Sequence, residues 1–134
     1  MKVLTIREPW ASLIGKHIKL IETRSWPTKY RGELYIHAGL APIPKNDPRI
    51  KALSNDFIND LHFGTIFLKC TLANCIQITE EFANKVRSES PQNYLWGDYA
   101  YGRYAWILTD VQYIDPIKAK GHLSIWNYTP QKNK

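Results

Sequence analysis

Three ionisable residues stand close together near the start of the chain, Lys19, Glu22 and Arg24, and their types suit them to hold a polar ligand. An arginine makes bidentate contacts to phosphate or carboxylate, a lysine acts as a point charge, and a glutamate accepts from the exocyclic amine of a base. A glutamate beside a desolvating wall also has a raised pKa and can serve as a general base, with Lys19 stabilising an oxyanion. Ser12, Thr23 and Ser25 are the hydroxyls nearest to such a centre. The plainer alternative is a structural ion pair or ordinary surface charge, because charge triplets are common. Trp10 and Trp26 bracket the cluster. Either ring can stack on a base, although the body of Trp10 also suits packing of its helix on the core, and Trp26, before Pro27, suits an exposed loop. Lys29 and Arg31 are further cations, available for phosphate contacts or simply solvated.

These residues must be positioned by short elements. Lys2 to Ile6 reads as a strand, and Glu8-Pro9 opens a short helix with Trp10, Leu13 and Ile14 at i, i+3 and i+4. Residues 18–24 form a turn into a second strand. In a regular strand Glu22 and Arg24 share a face, so Lys19 joins them only from the turn before the strand begins. Glu33 to His37 alternates as a third strand, and Leu40 to Pro48, with three prolines, is a connection. Asp47-Pro48 starts a helix running to about Leu61. Residues 64–78 form the longest strand, Thr79 caps a short helix, and residues 103–113 and 123–128 give two more strands. The aromatic segment 94–104 is either a lid or stacking platform, or a cover over a core edge. His37 reads as a structural strand histidine. The order is not a regular βαβ alternation, so the fold class is α+β: a small mixed or antiparallel β-barrel with short peripheral helices.

Composition bounds the function. The 134 residues suit one domain over 1–130 with a short polar tail, 131–134, and 44% hydrophobic with 13% aromatic residues excludes a disordered chain. No secretory leader or membrane-length apolar run is present, so the expected location is cytoplasmic. Cys70 and Cys75 are expected on opposite faces of one strand, which speaks against a local disulfide, and the four histidines lack zinc-ligand spacing. No metal or cofactor is expected, and there is neither a Gly-rich phosphate loop nor a G-x-S-x-G elbow. The net charge of +6 is uneven. Residues 1–51 hold ten Lys/Arg against four Asp/Glu, residues 52–115 hold four against eight, and residues 116–134 hold four against none. A fold joining the two ends would gather this charge beside Lys19 and Arg24 and favour an anionic partner.

The stretches Pro9-Trp10-Ala11-Ser12-Leu13-Ile14, Ile18 to Trp26 and Tyr30 to Ala38 resemble the opening of an ASCH domain. That family's signature is G-x-K-x-x-E-x-R. Lys19, Glu22 and Arg24 match it, while His17 stands where the signature has glycine. Residues 64–75 resemble the family's central strand, and Pro116 with Gly121, Ile125 and Trp126 resembles its closing segment. The resemblance implies a PUA-like β-barrel with a cleft beside the first helix, lined by Lys19, Glu22 and Arg24, and a partner that is RNA, DNA or a nucleotide-like ligand. One bacterial branch is similar to N4-acetylcytidine amidohydrolase, with the motif K-x-x-T-x-R. Glu22 replaces its threonine, and the alternative function is therefore a hydrolase of a modified nucleoside using Lys19 and Glu22. A protein partner is the third implied class, since larger coactivators carry the domain as one module.

Overall fold

The computed structural model describes residues 1–130, and the polar tail at 131–134 lies outside them. Six strands, β1 (Lys2–Ile6), β2 (Ile21–Arg24), β3 (Gly32–Ala38), β4 (Thr65–Gln77), β5 (Tyr104–Lys118) and β6 (Ile125–Asn127), make one sheet in the order β2-β5-β4-β3-β1-β6. β1 runs parallel to β3, and every other neighbouring pair is antiparallel. Five short helices flank it: α1 (Trp10–Gly15), α2 (Pro48–Lys51), α3 (Asn55–Ile58), α4 (Glu80–Glu89) and α5 (Pro91–Leu95). The α+β class and the mixed sheet agree with the sequence reading, and the sheet is a curled half-barrel of the PUA-like kind.

The curl has a local cause. Lys69 pairs with Gln112 and Thr71 with Thr109, so Asp110 and Val111 stand opposite Cys70 alone. Such a bulge bends its strand and increases the twist, and Asp110 absorbs it with a left-handed φ of 55°. The concave side is filled by alternating apolar residues, including Leu4, Ile36, Leu68, Leu72 and Trp106, with Ile14 of α1 set against them. Each buried aliphatic or aromatic side chain of this kind contributes about 1.5–3 kcal/mol.

Two boundaries depart from the sequence reading. The single helix expected from Asp47-Pro48 to Leu61 is broken into α2 and α3. Asp47 caps the first by accepting from the Arg49 amide at 2.9 Å, and Ser54 caps the second by accepting from the Phe57 amide at 3.2 Å. A second N-cap residue inside the apolar pattern thus stops one helix and starts another. The strand expected to end at Tyr113 continues to Lys118, because β4 is long enough to pair with it as far as Thr65. Thr79 caps α4 as expected, and α5 follows it after the single residue Ser90.

Two buried polar groups anchor the sheet to its surroundings. The carboxylate of Glu8 is fully buried and accepts from the Ser12 amide (2.8 Å), the Ser12 hydroxyl (2.6 Å) and the His62 amide (2.8 Å), tying α1 to the far end of the 39–64 connection. His37, also buried, donates from Nε2 to the Ala119 carbonyl at 2.7 Å, while its Nδ1 lies 3.1 Å from the Thr5 hydroxyl, which accepts from Trp126 Nε1 at 3.0 Å. At the far corner the Met1 amino group donates to Tyr128 O and the Tyr128 amide returns a bond to Met1 O, both at 2.9 Å.

Glu8→Gln turns an amide NH2 toward groups that also donate, so urea denaturation should show a loss of about 2–3 kcal/mol. Burial lowers the pKa of His37 from its ordinary 6.5, outweighing the Ala119 hydrogen bond that raises it. The unfolded chain therefore binds this proton more readily than the folded one. Stability is complete above about pH 6.5 and falls as pH drops below it. Melting curves between pH 8 and pH 5 should show a smaller acid loss for His37→Asn than for the parent, even though the variant melts lower throughout.

Candidate ligand-binding cleft

The connection between α1 and β2 brings Lys19 onto the face of Glu22. At its centre His17 takes a left-handed φ of 60°, the conformation for which glycine is the ordinary residue. Its ring compensates by donating Nε2–H to Val111 O at 3.1 Å, which fixes the end of α1 to the bulge of β5. The Leu13 carbonyl accepts from both Ile18 and Lys19 amides, and Lys19 is thereby held ahead of β2, the placement that convergence of the three residues required. The outer edge of β2 is covered from α5: Asn93 Oδ1 accepts from the Leu20 and Ile21 amides at 2.7 and 3.1 Å.

The three residues form one buried ionic cluster. Lys19 Nζ lies 3.0 Å from Glu22 Oε1, and Arg24 Nε and Nη2 each lie 3.1 Å from Glu22 Oε2. Lys19 also donates to the Ile21 carbonyl, and Arg24 Nη2 donates to Thr5 O on β1 at 2.9 Å. Burial pushes the Glu22 pKa up, but the charges and hydrogen bonds of Lys19 and Arg24 outweigh it, and the carboxyl lies below its ordinary 4.5. The raised pKa considered for a general base is thus not what this environment produces: two cations within hydrogen-bond reach favour the charged form more than burial disfavours it.

Glu22 and Arg24 face a cleft of about 540 Å³ between the end of β1, β2, the start of α1, α2 and the Trp96 to Asp98 turn. Trp26 lines it, half-buried, edge-on to Trp106 at 4.7 Å. Trp10 lines it as well, but the Arg49 guanidinium lies 5.7 Å over its ring and 5.3 Å over that of Trp96, covering both indoles. Lys19 is fully buried and is not part of the lining; it acts from behind, through Glu22. Arg31 is elsewhere, donating to the Thr28 and Tyr30 carbonyls and, at 3.3 Å, to Asn74 Oδ1. Of the hydroxyls considered, Ser12 is buried on Glu8, Thr23 Oγ1 accepts from the Asp98 amide at 2.9 Å, and Ser25 lies on the exposed rim.

Four arginines, Arg7, Arg24, Arg49 and Arg103, line the cleft against two carboxylates, Glu22 and Asp98. Three of the four belong to residues 1–51, but no residue after Arg103 lines the cleft, so the closing segment does not add its charge there. Arg7 and Arg49 have no role in the sequence reading, and Trp96 and Arg103 enter it only within the aromatic segment 94–104. A partial signal lay in the Asp47-Pro48-Arg49 cap and in the aromatic segment. In that segment Tyr99 and Trp96 are buried and cover a core edge, Trp96, Gly97 and Asp98 form cleft wall, and Tyr101 is exposed. Among the described residues no group of three or more His, Cys, Asp or Glu is arranged to hold a metal ion, and no helix is long and apolar enough to cross a membrane.

A family model described as "ASCH domain" matches residues 4–118, and the chain belongs to the ASCH domain family. Activating signal cointegrator 1 of Mus musculus is 32% identical over 104 residues, which are 69% of this chain and 18% of that protein. Its Homo sapiens counterpart is 33% identical over 100 residues, 66% of this chain and 17% of that protein. The chain thus spans less than a fifth of the length of these curated relatives. Crystal structures of ASCH from Zymomonas mobilis and of a point mutant superpose with TM-scores of 0.54 and 0.55 at 17% identity, over 87% of this chain and 72% and 74% of theirs. These show the fold.

Lys19→Met leaves the buried Glu22 with one cation in place of two. Chemical denaturation should show a loss of about 3–5 kcal/mol. In the parent, the Glu22 contribution is complete above about pH 4.5 and is lost as pH falls through the depressed pKa; the acid limb of a stability profile should flatten in Lys19→Met.

Proposed function

We propose that this ASCH domain works in the cytoplasm as a nucleic-acid-binding module, holding a base of RNA, DNA or a nucleotide-like ligand in the cleft. The observation that carries the reading is Glu22, a carboxylate held ionised on the wall of a cationic, indole-lined cleft. Lys19 Nζ stands against Oε1 and Arg24 Nε donates to Oε2, which leaves acceptor capacity on the carboxylate for a ligand. The exocyclic amine or ring N–H of a base supplies the matching donor. Trp26 offers an aromatic surface for stacking. Arg24 Nη1, which has no partner among the described residues, and Arg7 at the cleft edge offer donors to phosphate.

A modified-nucleoside hydrolase finds less support here. Its hydroxyl candidates make no hydrogen bond to Lys19 or Glu22 among the described residues, and Glu22 is a weakened base.

Binding of fluorescent ten-residue RNA and DNA single strands, followed by anisotropy from 50 to 300 mM salt, tests the reading. Affinity should fall linearly in log–log form, Arg7→Ala should reduce the slope by about one, and Trp26→Ala should cost about 1–3 kcal/mol at every salt concentration. Affinity that ignores salt removes the phosphate contacts from the account, and product formed from N4-acetylcytidine restores the hydrolase.

A further inference from the structure

Beyond Gly97 and Asp98 the cleft meets a second cavity, of about 810 Å³. Arg49, Gly97 and Asp98 line both, so the two share one rim. Gly97 lets the rim pack closely: a Cβ there would stand 2.6 Å from Tyr99 Cε1 and 3.1 Å from Thr23 Cγ2, so a side chain is sterically excluded. Arg49 is fixed on it. Its guanidinium is held by Asp47 Oδ2 at 2.7 Å and by the Leu95 carbonyl at 2.7 Å, with other N–H groups left over.

The walls of the second cavity are largely aromatic, with one cation, Arg49, and one carboxylate, Asp98. Tyr94 is stacked on Tyr99 at 5.2 Å, and the Arg87 guanidinium, outside the lining, lies 5.8 Å over the Tyr94 ring. Tyr101 is 66% exposed and Leu95 50% exposed, and both line this cavity, large side chains that the core does not use. An exposed ring such as Tyr101 beside the Arg49 guanidinium is what a further base and its phosphate require, and such stacking does not depend on base identity.

We propose that the second cavity is a subsite for the nucleotide adjacent to the one in the cleft. The ligand is then a single strand of at least two nucleotides, whose sugar-phosphate backbone crosses the rim at Gly97 and Arg49. This rests on the nucleic-acid reading of the cleft. A free nucleoside leaves the second cavity unused, and a duplex keeps its bases stacked and paired, away from either recess.

The test compares the four 5′-monophosphates, the corresponding homodinucleotides and ten-residue homopolymers, as RNA and as DNA, against the parent, Tyr101→Ala and Trp26→Ala. Circular dichroism confirms that both variants fold. Dinucleotides should bind the parent about tenfold or more tightly than monophosphates. Tyr101→Ala should remove that gain, about ten- to a hundredfold, and leave monophosphate binding unchanged, whereas Trp26→Ala should weaken both. Monophosphate binding that does not strengthen on lengthening, or a dinucleotide gain that survives Tyr101→Ala, overturns the second subsite and leaves the cleft standing. No binding of any single strand by the parent overturns both. Preference for blunt duplex over every single strand overturns the strand path as well.

Discussion

The burial of Glu22 between Lys19 and Arg24 is the interaction on which cleft and barrel both depend. An isolated carboxylate in that position would cost several kcal/mol to desolvate, so both cations must be in place. Arg24 does more than neutralise. Its Nη2 also reaches Thr5 O, and Thr5 belongs to β1 at the opposite side of the curled sheet from β2. The strand order leaves β2 without a backbone partner on its outer side, and the arginine spans the gap that hydrogen-bonded strands leave open. The groups that would meet a ligand are therefore the groups that hold the half-barrel's opening at a set width.

That arrangement leaves β2 as an edge strand of the sheet. An unpaired strand edge invites pairing with another chain, and Asn93 prevents it by occupying the Leu20 and Ile21 amides. Because α5 carries Asn93 and is followed directly by the Trp96 to Asp98 wall, the helix that protects the edge also sets the position of the cleft's far side. Trp96 packs with Leu13 of α1 and Ile50 of α2, so displacement of any one of these helices would be felt at the wall.

The residues readable from sequence were those whose partners are near in the chain. Alternation marked β3 and β4, and the spacing of Lys19, Glu22 and Arg24 implied a cluster with a stated condition on Lys19, which the left-handed turn at His17 meets. What the sequence did not show were contacts across long separations. Glu8 and His62 meet through the 39–64 connection, and Arg49 and Arg103 enter the cleft from segments that local patterns assign only to a helix start and a strand. Ser54 was masked by an apolar spacing that continues across it. Nearness in sequence sets Arg31 beside the cluster, whereas the turn before β3 points it toward Asn74 and Cys75, outside the cleft lining.

The reciprocal bonds between Met1 and Tyr128 hold residues 1 and 128 side by side at the corner farthest along β1 from the Arg24–Thr5 bridge. Both bonds of this clasp run between backbone groups, so it holds whatever side chains stand at positions 1 and 128. β1 is thus pinned at one end by the main chain alone and at the other by a single arginine side chain, and only the second of these joints can be undone by one substitution.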